Sequence, residues 1–262
     1  MSYMKPFNRI SNPISTIAVI GNDTRDFPFD LIPDPLKLVH PEIADLIICY
    51  GGDGTLIGAD QNFPKTPKMP WRRNSEYIKC EKHENVWSLT KLLVQECTVT
   101  LLPRLKAKTS NGLYCAINDI SIKNSNPMSA VRYKIFIDGD QYSDEIVGDG
   151  LVVATPFGSS AYYRSITNSV IRCGIGVAFN NSIEAVNHFV LSEKQKIKVL
   201  ITRGPAILTH DNSTNHPKLE KGDMIEIRLD QDDQTEIWGL DALICRECKE
   251  RQTRRPAGWR HV

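Results

Sequence analysis

Residues 45–55, Asp-Leu-Ile-Ile-Cys-Tyr-Gly-Gly-Asp-Gly-Thr, constrain the fold of this chain more than any other stretch. The uninterrupted apolar run from Leu46 to Tyr50 offers no polar face to water. As a strand it must be covered on both sides, the condition of strands in an open parallel sheet. Gly51, Gly52 and Gly54 follow at once. Glycines there let the backbone turn sharply and let a ligand approach without Cβ interference. Ligands of open α/β sheets collect at the carboxyl ends of strands. Backbone N–H groups in such a turn can cradle phosphate oxygens, and Thr55 can add a hydroxyl. Asp53, the one acid of the loop, can accept a proton from a substrate hydroxyl or hold Mg²⁺. A plain strand-to-helix turn with a capping Asp is the simpler alternative, but it needs less glycine than this.

The rest of the first hundred residues fits an α/β unit. Ile17 to Gly21 reads as another strand closed by a turn. Pro64, Pro67 and Pro70 mark residues 62–73 as a loop. Val86, Leu89, Leu92 and Leu93 share one face of an amphipathic helix over 84–95. Beyond residue 98 the pattern changes to short β-branched runs at 98–105, 113–123, 131–138, 150–155, 197–201 and 224–229, separated by Asn/Asp/Gly turns. The expected fold class is α/β + β, a Rossmann-like amino-terminal α/β domain and a carboxyl-terminal β-rich domain. Its expected boundaries are 1–98 and 99–240, with a basic tail over 241–262 that is solvated or docks on the first domain.

Composition narrows the partners. A net charge of +1 gives no global field for nucleic acid or an anionic membrane. No run approaches the roughly 18 apolar residues of a spanning helix, and residues 1–15 lack the apolar core of a secretory signal. The seven cysteines are an odd number without framework spacing, which suits reduced thiols in a cytoplasm. Cys245 and Cys248 form one CxxC, a weak zinc signal without a second pair. His210, Asp211, Asn212 and His216 form a polar cluster whose simplest reading is a solvated turn.

Two further segments carry chemistry. Gly148-Asp149-Gly150 leads into the apolar Leu151 to Ala154, then Thr155-Pro156-Phe157-Gly158-Ser159-Ser160-Ala161-Tyr162. Small residues allow close approach, while Thr155, Ser159, Ser160 and Tyr162 bring directional hydrogen bonds suited to a nucleotide. Asn118-Asp119 lies inside the apolar stretch Ala116 to Ile122, where its polar groups need partners. Asn118 can donate and accept, as a base edge requires, and Asp119 can accept from two vicinal ribose hydroxyls. A β-bulge or turn would account for the pair without a ligand.

Gly51-Gly52-Asp53-Gly54-Thr55 resembles the phosphate-handling motif shared by NAD kinases, diacylglycerol and sphingosine kinases and 6-phosphofructokinases. Residues 148–162 are similar, almost position by position, to a signature of the NAD kinases, and Asn118-Asp119 to their Asn-acid pair. The three occur here in that family's order. The resemblance implies an α/β domain with a β-sandwich-like domain, and transfer of a phosphoryl group from ATP, with Mg²⁺ or another divalent metal, to the 2′-hydroxyl of NAD's adenosine ribose. It implies that Asp53 acts on that hydroxyl, that Gly51, Gly52 and Thr55 hold phosphate, and that Gly54 packs against substrate. It places adenosine on Asn118 and Asp119 and the nicotinamide end near Asp149, with Ser160, Ala161, Tyr162 and Ser165 lining the pocket. It gives Asp211-Asn212 a structural turn, and implies a homodimer or homotetramer. The chain departs from the family at Phe157, where Ser or Thr is usual, and after Tyr162, where a Gly-Gly pair is missing. A Gly-Ile-Asn-x-Gly segment is also missing from 62–73. These departures keep open a non-catalytic NAD(P) sensor; the shared glycine motif keeps open a lipid kinase.

Overall fold

The computed structural model describes residues 14–72, 97–184 and 186–240. The expected helix over 84–95, the Cys245/Cys248 pair and the basic tail lie outside them. The described residues form two compact units. One holds those up to Leu102 together with those from Thr235, and the other runs from Pro103 to Gln234. No helix among them is long and apolar enough to cross a membrane.

The first unit is a parallel α/β sheet. Its strands are β1 (Thr16–Ile20), β2 (Lys37–Leu38), β3 (Leu46–Tyr50) and β4 (Lys68–Trp71), in the order β2-β1-β3-β4. All five residues of β3 are buried, as its unbroken apolar run requires. Alternation sends Leu46, Ile48 and Tyr50 into a cluster with Ile17, Met69 and Trp71. The other face carries Cys49 and Lys68, beside helix α1 (Asp53–Asn62), which starts three residues after β3 ends. Burial there pushes the Cys49 thiol up to about 12.

The proline-rich stretch is not wholly a loop, since Pro70 sits within β4. The carbonyls of Pro67 and Trp71 accept from Ile47 and Gly51 of the β3 side. By the two-residue period, the nitrogen of Pro70 points away from β3, so no ladder bond is lost there.

The second unit is a β-sandwich. Its strands are β5 (Val99–Thr109, from Pro103), β6 (Gly112–Ala116), β7 (Asp119–Asn124), β8 (Val131–Ile137), β9 (Asp140–Gln141), β10 (Ile146–Gly148), β11 (Gly150–Ala154), β12 (Ile175–Asn180), β13 (His188–Leu191), β14 (Lys196–Arg203), β15 (Ala206–His210), β16 (Lys218–Leu219) and β17 (Met224–Trp238, to Gln234). One sheet runs β10-β8-β14-β17, with β5 beside β17, β6 beside β5 and β9 beside β8. The other runs β13-β12-β11-β7-β15-β16, antiparallel at every pairing.

Ile120, Ile122, Leu151 and Val153 are buried on one face of the second sheet. The Tyr133 hydroxyl of β8 donates to the Gly150 carbonyl at 3.1 Å, which links the two sheets. The opposite face carries Asp119, Ser121 and Lys123 on β7, abreast of Ala154, Val152 and Gly150 on β11. Helix α2 (Tyr162–Thr167) covers part of it, with Tyr163 among Val152, Ala154 and Ala178. The architecture is therefore an α/β domain with a β-sandwich domain. The β-rich pattern was expected, but β9, β10, β12, β13, β15 and β16 fall outside the runs read from sequence.

Candidate functional site

Two groups of residues stand out, one in each unit. The first is the turn between β3 and α1. Gly51 adopts φ 158°, and a Cβ there would lie 2.3 Å from the Thr55 hydroxyl, so glycine is needed for Thr55 to fold back over the turn. Gly52 is different. Its φ of −96° suits any residue, and a Cβ would meet nothing within 4 Å. It caps α1 without a side-chain hydrogen bond, so the positive end of the helix dipole is open to an anion above it. Asp53 is the first residue of α1, its side chain 74% exposed and 3.5 Å from the Arg72 guanidinium. The loop thus presents a carboxylate, backbone N–H groups and the Thr55 hydroxyl.

The far end of α1 is fixed from beneath. Lys68 on β4 has a fully buried side chain. Its ammonium donates to Asp60 Oδ1 at 3.1 Å and to the Phe63 carbonyl. Thr235 Oγ1 donates to the same Asp60 oxygen at 2.9 Å. A buried ammonium is tolerated only when paired in this way.

The second group is built around the turn from β6 to β7. Asp211, in a left-handed conformation at φ 49°, aims its carboxylate back at this turn. It accepts the N–H groups of Ile117 and Asn118 at 2.8 Å each and that of Asp119 at 3.2 Å. The Asp211 N–H donates to the Asp119 carbonyl at 2.9 Å. From the other side, the Asn118 carbonyl accepts the Thr155 N–H at 2.9 Å and the Ile117 carbonyl accepts the Thr155 hydroxyl at 2.6 Å. A Cβ on Gly158 would fall 2.1 Å from the Asn118 carbonyl oxygen, so only glycine fits this seam. The backbone of residues 117–119 is therefore held on both sides, and the Asn118 and Asp119 side chains project from a fixed frame.

Three polar groups on this frame are unspent. Asn118 Oδ1 is buried without a hydrogen-bond partner among the described residues. The Asp119 carboxylate accepts no hydrogen bond there, and burial, then the negative Asp211, push it up to about 7, with Lys123 pulling the other way. The Lys123 ammonium makes no ion pair with a described residue; it lies 4.7 Å from the centre of the Tyr162 ring. Burial, then Asp119 and Asp149, raise the Tyr162 phenol, while a hydrogen bond with Asn180 lowers it. Tyr162 therefore lies within electrostatic reach of both acids. Asp149 accepts from Asn181 Nδ2 at 2.9 Å.

The sequence-predicted residues of this unit thus fall together: Asn118, Asp119, Asp149 and Tyr162 share one neighbourhood. Ser160 and Ala161 are exposed on the turn that leads into α2. Ser165 follows one turn later, its hydroxyl donating to the Tyr162 carbonyl at 2.7 Å. Gly51, Gly52, Asp53, Gly54 and Thr55 form the turn of the other unit. Thr155 and Ser159, read as nucleotide ligands, are buried and build the loop itself. Thr155 Oγ1 receives the Gly158 N–H at 3.0 Å, and Ser159 Oγ bonds the Pro156 carbonyl at 2.9 Å and the Ile171 N–H at 3.1 Å.

Sequence reasoning passed over Lys123, Asn180 and Asn181. Lys123 had a signal, since it lies an even number of residues from Asp119 and must share its face. Asp211 was expected to hold a turn, and the turn it holds is the one bearing Asn118 and Asp119. No group of three or more His, Cys, Asp or Glu side chains placed to hold a metal occurs among the described residues.

Comparison with known proteins agrees in region and fold. Residues 117–234 match the ATP-NAD kinase C-terminal domain. The NAD kinase of Brucella melitensis biotype 1 is 31% identical over 138 residues, 51% of this chain and 53% of that protein. This chain spans about half the length of several of the curated relatives it matches. Among solved structures, yeast NADH kinase complexed with NADH superposes with a TM-score of 0.73 at 17% identity, covering 87% of this chain and 84% of that one. An NAD kinase from Archaeoglobus fulgidus in complex with ATP gives 0.72 at 19% identity, covering 91% and 98%.

Proposed function

We propose that the chain is a member of the NAD kinase family and transfers the γ-phosphoryl group of ATP to the 2′-hydroxyl of the adenosine ribose of NAD, giving NADP. The observation that carries this reading is the braced turn at 117–119, which presents an unspent amide oxygen and an unspent carboxylate side by side. A purine with an exocyclic amino group and a ribose with vicinal hydroxyls supply the donors these two acceptors lack. An acyl chain supplies none, which disfavours the lipid-kinase alternative.

In this reading the α/β domain handles phosphate and the β-sandwich domain holds NAD. Asn118 and Asp119 take adenosine, Asp149 faces the nicotinamide end, and Ser160, Ala161, Tyr162 and Ser165 line the pocket. Gly51, Gly52 and Thr55 cradle phosphate, and Gly54 packs on substrate. The ribose 2′-oxygen attacks the γ-phosphorus, the bond to the β–γ bridging oxygen breaks, and ADP leaves. Asp53 accepts the hydroxyl proton. Such a reaction demands mainly positioning and charge neutralisation.

Mg²⁺ fits the loop as a companion of ATP. It is commonly held by one or two carboxylates plus substrate phosphates, and Asp53 is an exposed carboxylate at an anion-binding turn. The ion would neutralise phosphate charge there. A cytoplasmic location and a homodimer or homotetramer complete the proposal, and light scattering measures the latter.

The test is a coupled assay of the purified protein with NAD, ATP and Mg²⁺, in which an NADP-specific dehydrogenase reports product. Steady NADP formation is expected. NAD binding without turnover would replace the kinase with a sensor. Asp53→Asn is expected to lower kcat by roughly 10²- to 10⁴-fold, the usual worth of a general base, with NAD affinity nearly unchanged. A variant that turns over like the wild type removes Asp53 from the chemistry.

A further inference from the structure

We propose that Lys123 is a binding residue for the pyrophosphate of the dinucleotide, held for that task against the ring of Tyr162. The inference rests on the reading that the sandwich domain binds NAD.

Lys123 stands on β7 on the same face as Asp119, four residues further along. At about 3.3 Å per residue the two positions are roughly 13 Å apart. Lys123 is abreast of Gly150, the residue after Asp149, and Gly150 is in turn abreast of Asn180 on β12. The face therefore has an Asp119 end and an Asp149 end. Tyr162 is within electrostatic reach of both acids and bonds Asn180, so its ring stands near both ends. The Lys123 ammonium is drawn to that ring, 4.7 Å from its centre. With adenosine at one end and the nicotinamide half at the other, the middle of the ligand is its pyrophosphate.

The charge balance points the same way. Asp149, and Asp119 above about pH 7, make this face negative, and a dinucleotide brings further negative charge. Lys123 is half-buried yet forms no ion pair with either acid. An ammonium kept to neutralise Asp119 would sit against its carboxylate. On the Tyr162 ring it keeps its donors available, while the cation–π contact limits where it can go. Lysine serves phosphate as a mobile point charge, and a ring that restrains its flexible stem lowers the entropy lost on binding.

The experiment is isothermal titration of wild-type protein, Lys123→Met and Lys123→Arg with NAD, adenosine and ATP. Methionine preserves the apolar stem and removes the charge. The expected result is that Lys123→Met weakens NAD binding by roughly 10- to 100-fold, the range for a lost charged hydrogen bond. Adenosine, which has no phosphate, should bind as before, and so should ATP. Lys123→Arg should restore most of the loss, and added salt should weaken NAD but not adenosine on the wild type. Equal losses for NAD and adenosine, no loss for NAD, or a loss confined to ATP would overturn the proposal while leaving the kinase reading intact. A wild-type protein that binds no NAD would overturn both. Lys123→Gln, which also removes the charge but keeps a polar stem, carries the same comparison of NAD with adenosine if Lys123→Met fails to fold.

Discussion

Asp119 shows how a site can burden its own fold. In the unfolded chain an aspartate loses its proton near pH 4, whereas here burial and the neighbouring Asp211 hold the proton until about pH 7. Between those values the folded state carries the extra proton, so stability falls as pH rises from 4 to 7 and is level above. Asp119→Asn removes that loss. Without ligand at pH 8, the variant should exceed the wild type by on the order of 2–4 kcal/mol, with no difference at pH 4. Denaturant titrations at both pH values check this, and a gap independent of pH would contradict it. The carboxylate form is the one that accepts two hydroxyls, so NAD affinity should rise with pH up to about 7. At this scale the sequence was informative where polar residues stand within an apolar run, as at Asn118 and Asp119, although the structure places them at the turn between β6 and β7 and not within one strand. It was uninformative about which hydroxyls stay exposed, because Thr155 and Ser159 differ from Ser160 only in what the folded chain places beside them.

Elements matter through the braces that fix them, and these braces join distant parts of the sequence. Asp211 lies 93 residues from Asn118, yet its carboxylate takes three consecutive N–H groups of that turn. Asp211→Ala leaves those donors without their acceptor, at a cost of about 1–3 kcal/mol each where water cannot replace it. The expected result is a lower melting temperature together with a higher KM for NAD, measured by thermal melts and steady-state kinetics. An unchanged KM would mean that the turn holds its shape unaided. A sequence alone identifies Asp211 as a turn residue but cannot name its partners, which are set by the β15–β7 pairing. Pro70 was misleading for a related reason. A proline argues against a strand only where its nitrogen faces a ladder, and sequence does not say which way it faces.

At the scale of the whole molecule, each domain has a separable source of stability. The α/β domain keeps a buried ion pair, Asp60 with Lys68, beneath the glycine-rich turn and its helix. Lys68→Met alone strands the Asp60 charge and should cost about 3–5 kcal/mol, while Lys68→Met with Asp60→Leu should recover much of that. Chemical denaturation of the two variants tests the coupling; equal losses would show that a stranded Asp60 charge is not what destabilises the single variant. The sandwich domain, Pro103 to Gln234, is one continuous segment with its own two-sheet core. A fragment of those residues should fold cooperatively and still bind adenosine, which circular dichroism and titration can establish. The change from a buried parallel strand to regular short strands made this division legible. The placement of the end of β17 in the α/β domain was not legible, because alternation within a strand does not reveal its neighbour.

Gly52 and Gly158 look equivalent on paper, each a small residue in a tight loop. Gly158 is filled from outside by the Asn118 backbone, whereas Gly52 opens onto empty space in a conformation any residue can adopt. Two selections on a library of variants should therefore part them. A screen for cellular abundance should reject nearly every replacement at 158 and accept alanine at 52. A screen for NADP production should reject both. That outcome would show Gly158 to be kept by the protein's interior and Gly52 by a bound ligand, so a mutational map read twice would separate the demands of folding from those of catalysis.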